Sequence, residues 1–342
     1  MKKKNQSDMV WRVMQLFAKL PLALAMALAG ALAGLLARLP LKYASAYRVV
    51  LLNLLAAYPS LSWAEARHMA RRALREQGRT YAELAHVCIR PVDESLARIS
   101  KVTGETEFLA AVKDSRPLLL LTLHHGSWEL SNLYVGVKSQ GRRTVILYQP
   151  DKSKLLERGL KDARERTGCT LVAANSKGVR EALTAMQNGE SLGILADHNP
   201  GASNNPFVPF FGHSVHTLGL VGRLVMRYRP RVFFVHCYRG EGGARDIHLV
   251  FQPAPDVEQA DSEQRALEAM NRGLEACIAD SPEQYQWTYK RFRRSPSGPR
   301  RWYKNSYKLL KKVEAGHDRK KLGLTPNAPV PAADKAAAES HA

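Results

Sequence analysis

The chain has 342 residues and carries 51 Lys and Arg against 31 Asp and Glu, a formal charge of +20. Its 45% hydrophobic content supports a full core and excludes a broadly disordered chain. The mean hydropathy of −0.30 excludes a polytopic membrane protein but leaves room for one apolar segment. Four scattered cysteines, Cys88, Cys169, Cys237 and Cys277, form no Cys-x-x-Cys pair, which argues against a structural zinc site or a disulfide framework.

The chain opens on Lys2, Lys3 and Lys4, and residues 20–37 then run for eighteen positions without a charge (LPLALAMALAGALAGLLA). That length is at the lower limit for crossing about 30 Å of hydrocarbon, so a retained N-terminal membrane helix or interfacial anchor is expected within residues 1–42, with a cleaved signal peptide and a buried soluble helix as the alternatives. Residues 43–115 read as helical. The pattern changes at Pro117: short apolar runs at 118–123, 143–148, 170–173, 191–196, 231–238 and 247–251 read as strands. Helical segments at 130–138, 152–167, 177–188, 218–228 and 262–279 alternate with them. This predicts an α/β fold with a mainly parallel central sheet flanked by helices. The main domain is expected to span 43–321, ending in a segment (287–321) with thirteen Lys or Arg and only two acids, Glu314 and Asp318. Residues 322–342 read as a disordered tail.

The predicted strand at 118–123 runs into His124-His125-Gly126-Ser127-Trp128-Glu129. A His at the carboxyl end of a strand and a Glu in the first turn of the next helix can fold back on each other around Gly126, with Ser127 as a cap. Ligands of open α/β sheets sit at that end of the strands. Glu129 would hold one ring nitrogen of His124, and the other would accept a proton from a substrate hydroxyl. His125 is the rival at one residue's shift, and periodicity does not choose between them.

The segment resembles the His-x-Gly-Asn-Trp-Glu catalytic box of the bacterial lipid A late acyltransferases, a branch of the glycerolipid acyltransferases. Further elements resemble that family in order: Arg164 with Gly168; Gly189 and Leu195-Ala196-Asp197; Val208-Pro209-Phe210-Phe211-Gly212 with Thr217; and a closing stretch with Asn271, Glu275, Pro282, Tyr285, Trp287, Arg291 and Phe292. Together they cover roughly residues 10–310. Two departures stand out: Ser127 replaces Asn in the box, and His198 replaces the Gln that usually follows Asp197.

The resemblance implies an acyltransferase in which His124 activates an acceptor hydroxyl, Glu129 orients it, and acyl carrier protein donates a fatty acyl group to a lipid A precursor. It implies no metal, no cofactor and no covalent enzyme intermediate. Arg164 and Asp197 line the site in this reading. Phe211, Gly212, Thr217 and the strand-end Arg239 are further candidates for substrate binding. An aromatic loop of Phe207, Phe210 and Phe211 is a candidate wall for an acyl path. The basic 287–321 segment, with its aromatic residues, is assigned to anionic lipid or acidic carrier protein rather than nucleic acid. The implied location is the bacterial inner membrane, with one N-terminal anchor and the active site facing the cytoplasm. The competing readings are the same chemistry on a lysophospholipid or another envelope glycolipid, and a membrane-tethered binding protein without catalysis.

Overall fold

The computed structural model describes residues 2–139, 141–151, 154–201 and 204–325, with side chains from residue 9 onward. The elements in chain order begin with helices α1 (Lys2–Phe17), α2 (Leu22–Leu36), α3 (Ser45–Ala57), α4 (Trp63–Ile89) and α5 (Val92–Leu96). They continue with β1 (Ile99–Thr103), α6 (Glu105–Lys113), β2 (Leu118–Gly126), α7 (Trp128–Lys138), β3 (Thr144–Tyr148), α8 (Lys154–Glu165) and β4 (Thr170–Ala173). Next are α9 (Ser176–Gln187), β5 (Ser191–Leu195), β6 (Phe207–Phe210), β7 (His213–His216), α10 (Leu220–Tyr228), β8 (Arg231–Arg239) and β9 (Ile247–Pro253). Helices α11 (Pro255–Glu258) and α12 (Glu263–Ala279), the short strands β10 (Arg294–Ser295) and β11 (Gly298–Pro299), and α13 (Ser306–Glu314) close the chain. The six apolar runs expected as strands are β2, β3, β4, β5, β8 and β9. The expected tail lies, for residues 326–342, outside the described residues.

The chain divides into two compact units, one of residues 1–29, 79–196 and 220–266, the other of residues 30–78, 197–219 and 267–342. The first holds a seven-stranded sheet in the order β1-β9-β8-β2-β5-β3-β4. Strands β8, β2, β5, β3 and β4 are mutually parallel, β9 runs antiparallel to β8, and β1 runs parallel to β9. The leucines of β2 are buried because the central strands are covered on both faces. A core of Phe108, Leu118, Leu133, Phe233 and Phe251 packs one face against α6 and α7. Near the N-terminus, Trp11, Met14 and Phe17 of α1 pack with Leu156 and Leu160 of α8. Gly159 makes this approach possible, since a Cβ there would lie 2.3 Å from the Trp11 indole.

The second unit contains α3, buried along most of its length, and the β6–β7 hairpin. The hairpin's two turn residues, Phe211 and Gly212, both have positive φ (46° and 67°), which matches the right-handed strand twist but strains the phenylalanine. The Glu275 carboxylate accepts the Phe211 N–H at 2.7 Å. Tyr58 and Trp287 pack their rings against Phe211. Asn53 donates from its amide to the carbonyls of Trp287 (2.6 Å) and Tyr289 (2.7 Å), and accepts from the Tyr303 hydroxyl.

Several expectations need correction. The N-terminal membrane helix is not found: no helix among the described residues is long and apolar enough to cross a membrane. Pro21 has no N–H with which to continue the α1 ladder, so the uncharged run breaks there and α2 has 15 residues, about 22 Å. Residues 43–115 are not helical throughout. β1 lies inside them as an edge strand, recruited by pairing with β9. The basic segment after residue 287 is not simply a charged surface, because Trp287, Arg291, Phe292 and Trp302 are buried.

Candidate active site

The site in the first unit begins with a strand that outruns its neighbour. β2 pairs with β5 only as far as Thr122↔Leu195, so His124 lies beyond the paired region. Against β8, the register passes from Thr122↔Val235 to Gly126↔Cys237, four steps on one strand against two on the other. This bulge, with the positive φ of Gly126 (52°), turns the chain into α7 and re-aims the histidines. His124 is half-buried, its ring 5.3 Å from that of Trp128, whereas His125 is fully buried and packs near His236 and Tyr238. The structure therefore separates the two candidates: His124 is the partly accessible one.

Glu129, in the first turn of α7, is buried and receives three hydrogen bonds. Arg164, from the last turn of α8, grips it with both Nε (2.9 Å) and an amino nitrogen, and the Trp128 indole N–H donates to it at 3.1 Å. Burial pushes the Glu129 carboxyl up, but Arg164, the Trp128 hydrogen bond and His124 outweigh it, so the net shift is downward and the group stays ionised. Arg164 is likewise held charged: burial works against it and Glu129 prevails. The Asn132 amide donates to the Arg164 carbonyl at 3.1 Å, fixing α7 to α8. Beneath the pair lies an apolar cavity of about 60 Å³, lined by Leu120, Thr122, Ile146, Gly193, Leu195 and Val235 together with Glu129 and Arg164. This is on the order of two water volumes, well short of the ~300 Å³ at which small-molecule pockets begin.

Ser127 does not cap α7. Its hydroxyl instead donates to Glu83 of α4 at 2.5 Å. Arg239, expected at a substrate, is buried and bound to the same carboxylate (2.7 Å), and it also donates to Thr80 (2.9 Å). Arg98 completes the group by donating to the other Glu83 oxygen at 2.6 Å. Glu83, Arg98 and Thr80 are neighbours of the box that the sequence reading missed, since no local spacing announces them. The remaining predicted residues, Asp197, Phe211, Gly212 and Thr217, lie in the second unit, all buried. There Arg291 donates to the His216 carbonyl (2.6 Å) and to Asn199 (3.0 Å). Burial drives the Tyr285 hydroxyl far above its usual range, and the nearby Asp197 carboxylate adds to the shift. His198 stacks on Tyr289 with ring centroids 3.7 Å apart, and its Nε2 lies 3.2 Å from the Gln286 amide oxygen. Phe210 and Phe211 are buried in their own unit's aromatic cluster rather than lining an open path.

The sequence model of the family described as "Bacterial lipid A biosynthesis acyltransferase" matches residues 7–294. The chain is 26% identical over 253 residues to the lipid A biosynthesis lauroyltransferase of Escherichia coli K12, covering 73% of this chain and 80% of that one. It is 25% identical over 261 residues to the lipid A biosynthesis myristoyltransferase of the same organism (76% and 79% covered). With the palmitoleoyltransferase of that strain it shares 25% over 250 residues (72% and 78%).

Proposed function

The chain belongs to the bacterial lipid A biosynthesis acyltransferase family and is an acyltransferase; from that premise we propose that it moves a fatty acyl group from acyl carrier protein to a hydroxyl of a lipid A precursor, with His124 as general base. The observation that carries this reading is the half-buried His124 ring beside an ionised, arginine-held Glu129 at the carboxyl end of β2. His124 takes the hydroxyl proton as the acceptor oxygen attacks the thioester carbonyl. The carboxylate stabilises the imidazolium that forms, the C–S bond breaks, and the proton passes from His124 to the departing sulfur. Arg164 keeps Glu129 charged through the cycle. Arg239, through Glu83 and Ser127, positions the turn that carries the box. Asp197 and Thr217 of the second unit are proposed as further substrate-binding residues. The acyl chain needs more room than the cavity beneath α7 offers, so its binding widens that cavity or uses another surface.

Membrane attachment is proposed as interfacial. Leu24, Leu28, Leu32, Leu35 and Leu36 of α2 are exposed, and with the basic residues around them they suit a helix lying in the headgroup region of an anionic inner membrane, the active site open to the cytoplasm.

The test is acyl transfer by purified protein from acyl carrier protein to an acylated glucosamine disaccharide and, in parallel, to lysophosphatidic acid. His124→Ala lowers the rate on the disaccharide by about 10²–10⁴-fold, with unchanged circular dichroism. Unaltered transfer in His124→Ala and Glu129→Ala would reject the catalytic assignment. Activity on lysophosphatidic acid alone would move the enzyme to another lipid acceptor.

A further inference from the structure

A second, larger cavity of about 630 Å³ occurs in the first unit, among residues 21–23 at the start of α2, the end of α4, α5 and the turn between β8 and β9. It shares no lining residue with the cavity beneath α7. Its wall carries Arg90, Arg98, Arg245 and His86 against a single acid, Glu94. Glu94 is already taken by Arg90, at 3.1 Å. Arg98 is only 7% exposed. Its Nε donates to the Ser95 carbonyl and one amino nitrogen to Glu83, a carboxylate it shares with Arg239. The other amino nitrogen is buried with no hydrogen-bond partner among the described residues. Arg245, exposed at the rim, has no carboxylate partner among them either. The buried His86 ring lies with Nδ1 3.0 Å from the Ala82 carbonyl and Nε2 2.9 Å from the Leu20 carbonyl.

We infer that this cavity is an anion site that takes a phosphate group, as a free phosphate monoester or as the headgroup of an anionic lipid. Arg90 is paired with Glu94, and Arg98 shares Glu83 with Arg239, so Arg245 and the free amino nitrogen of Arg98 leave positive charge unanswered around this space. Guanidinium forks match phosphate oxygens in geometry as well as in sign. Residues 21–23 also bring the N-terminal end of the 15-residue α2 to the wall, adding its partial positive charge. An apolar margin adjoins the charged one. Leu22 and Ala244 line the cavity and pack with Ala25, Met26 and Ala82. His124, Glu129 and Arg164 are not among its lining residues, and Arg98 connects it to the box through Glu83.

The test labels full-length protein with phenylglyoxal and follows modification of Arg90 and Arg245 by peptide mass spectrometry. The probes are sn-glycerol 3-phosphate, phosphatidylcholine vesicles, and the same vesicles with phosphatidylglycerol. A probe present at about ten times its dissociation constant slows labelling of both arginines about tenfold. Arg245→Glu, a surface change, removes the protection at Arg90. Protection by glycerol phosphate assigns a free phosphate ester; protection by phosphatidylglycerol vesicles alone assigns a lipid headgroup. The proposal is overturned if no probe protects, if phosphatidylcholine protects equally well, or if Arg245→Glu leaves the protection of Arg90 intact.

Discussion

Glu129 in the first unit and Glu275 in the second are buried to the same extent, each 7% exposed, yet their acidities move in opposite directions. Burial raises both. Glu129 meets a bidentate guanidinium and falls below its ordinary value, whereas Glu275 has chiefly the Phe211 N–H to offset its desolvation and is pushed up to about 7. The role proposed for Glu129 requires a carboxyl that keeps its charge, and in this protein the guanidinium, not the degree of burial, decides whether it does. Glu83 repeats the first solution: its desolvation is overcome by Arg239 and Arg98, and Ser127 supplies a hydrogen bond.

The comparison breaks most sharply if the guanidinium is removed. Arg164→Met leaves Glu129 in the position of Glu275 or worse, and urea denaturation is expected to show a loss of about 3–5 kcal/mol. The surviving folded enzyme should show a pH–rate profile displaced toward alkaline pH, because the carboxyl then ionises later. Glu83→Ala is expected to cost about as much, about 3–5 kcal/mol, since two buried guanidinium groups lose their shared partner. A stability close to wild type in either variant would mean the pair concerned is not the buried support described above.

The pH dependence of stability sharpens the contrast. Glu129 and Glu83 have folded pKa values below their unfolded ones, so their contribution is present above about pH 4.3 and is lost as pH falls through the folded values. Glu275 has the opposite sign: its contribution is complete below about pH 4.3 and declines as pH rises through its folded value of about 7. Glu275→Gln should therefore flatten the decline in unfolding free energy from pH 5 to pH 8, by on the order of 3 kcal/mol. It should leave the acid limb unchanged. Equal curves for variant and wild type across that range would remove Glu275 from the comparison. The smallest effect is that of Ser127→Ala, about 1–2 kcal/mol by denaturation, from loss of the hydroxyl's bond to Glu83.

Much of this was legible in the chain, and what was not has a common cause. The sheet's central strands could be read because burial on both faces makes them continuous apolar runs, as at Leu118–Leu121. β1 could not, because Ile-Ser-Lys-Val-Thr is an edge strand that exists by pairing with residues nearly 150 positions away. His124 and Glu129 are five positions apart, so a turn brings them together and the spacing is visible. Arg164 was reached only through a family likeness, and its bidentate grip spans 35 positions. The Glu83–Arg239 contact spans 156, and nothing near either residue distinguishes it from an ordinary charge on an amphipathic helix or a strand end. The missing membrane span has a local cause: Pro21 interrupts the apolar stretch, a break that counting uncharged residues does not register.

Gly159 has a consequence for evolution and for engineering. The indole of Trp11 occupies the space where any other residue would place its first side-chain carbon. The leading helix is thus seated by the smallest possible group on its partner, and one added methyl at that position would clash with it without changing any charged residue of the sequence. A single conservative change there offers a switch for asking what the N-terminal arm contributes, without deleting a residue.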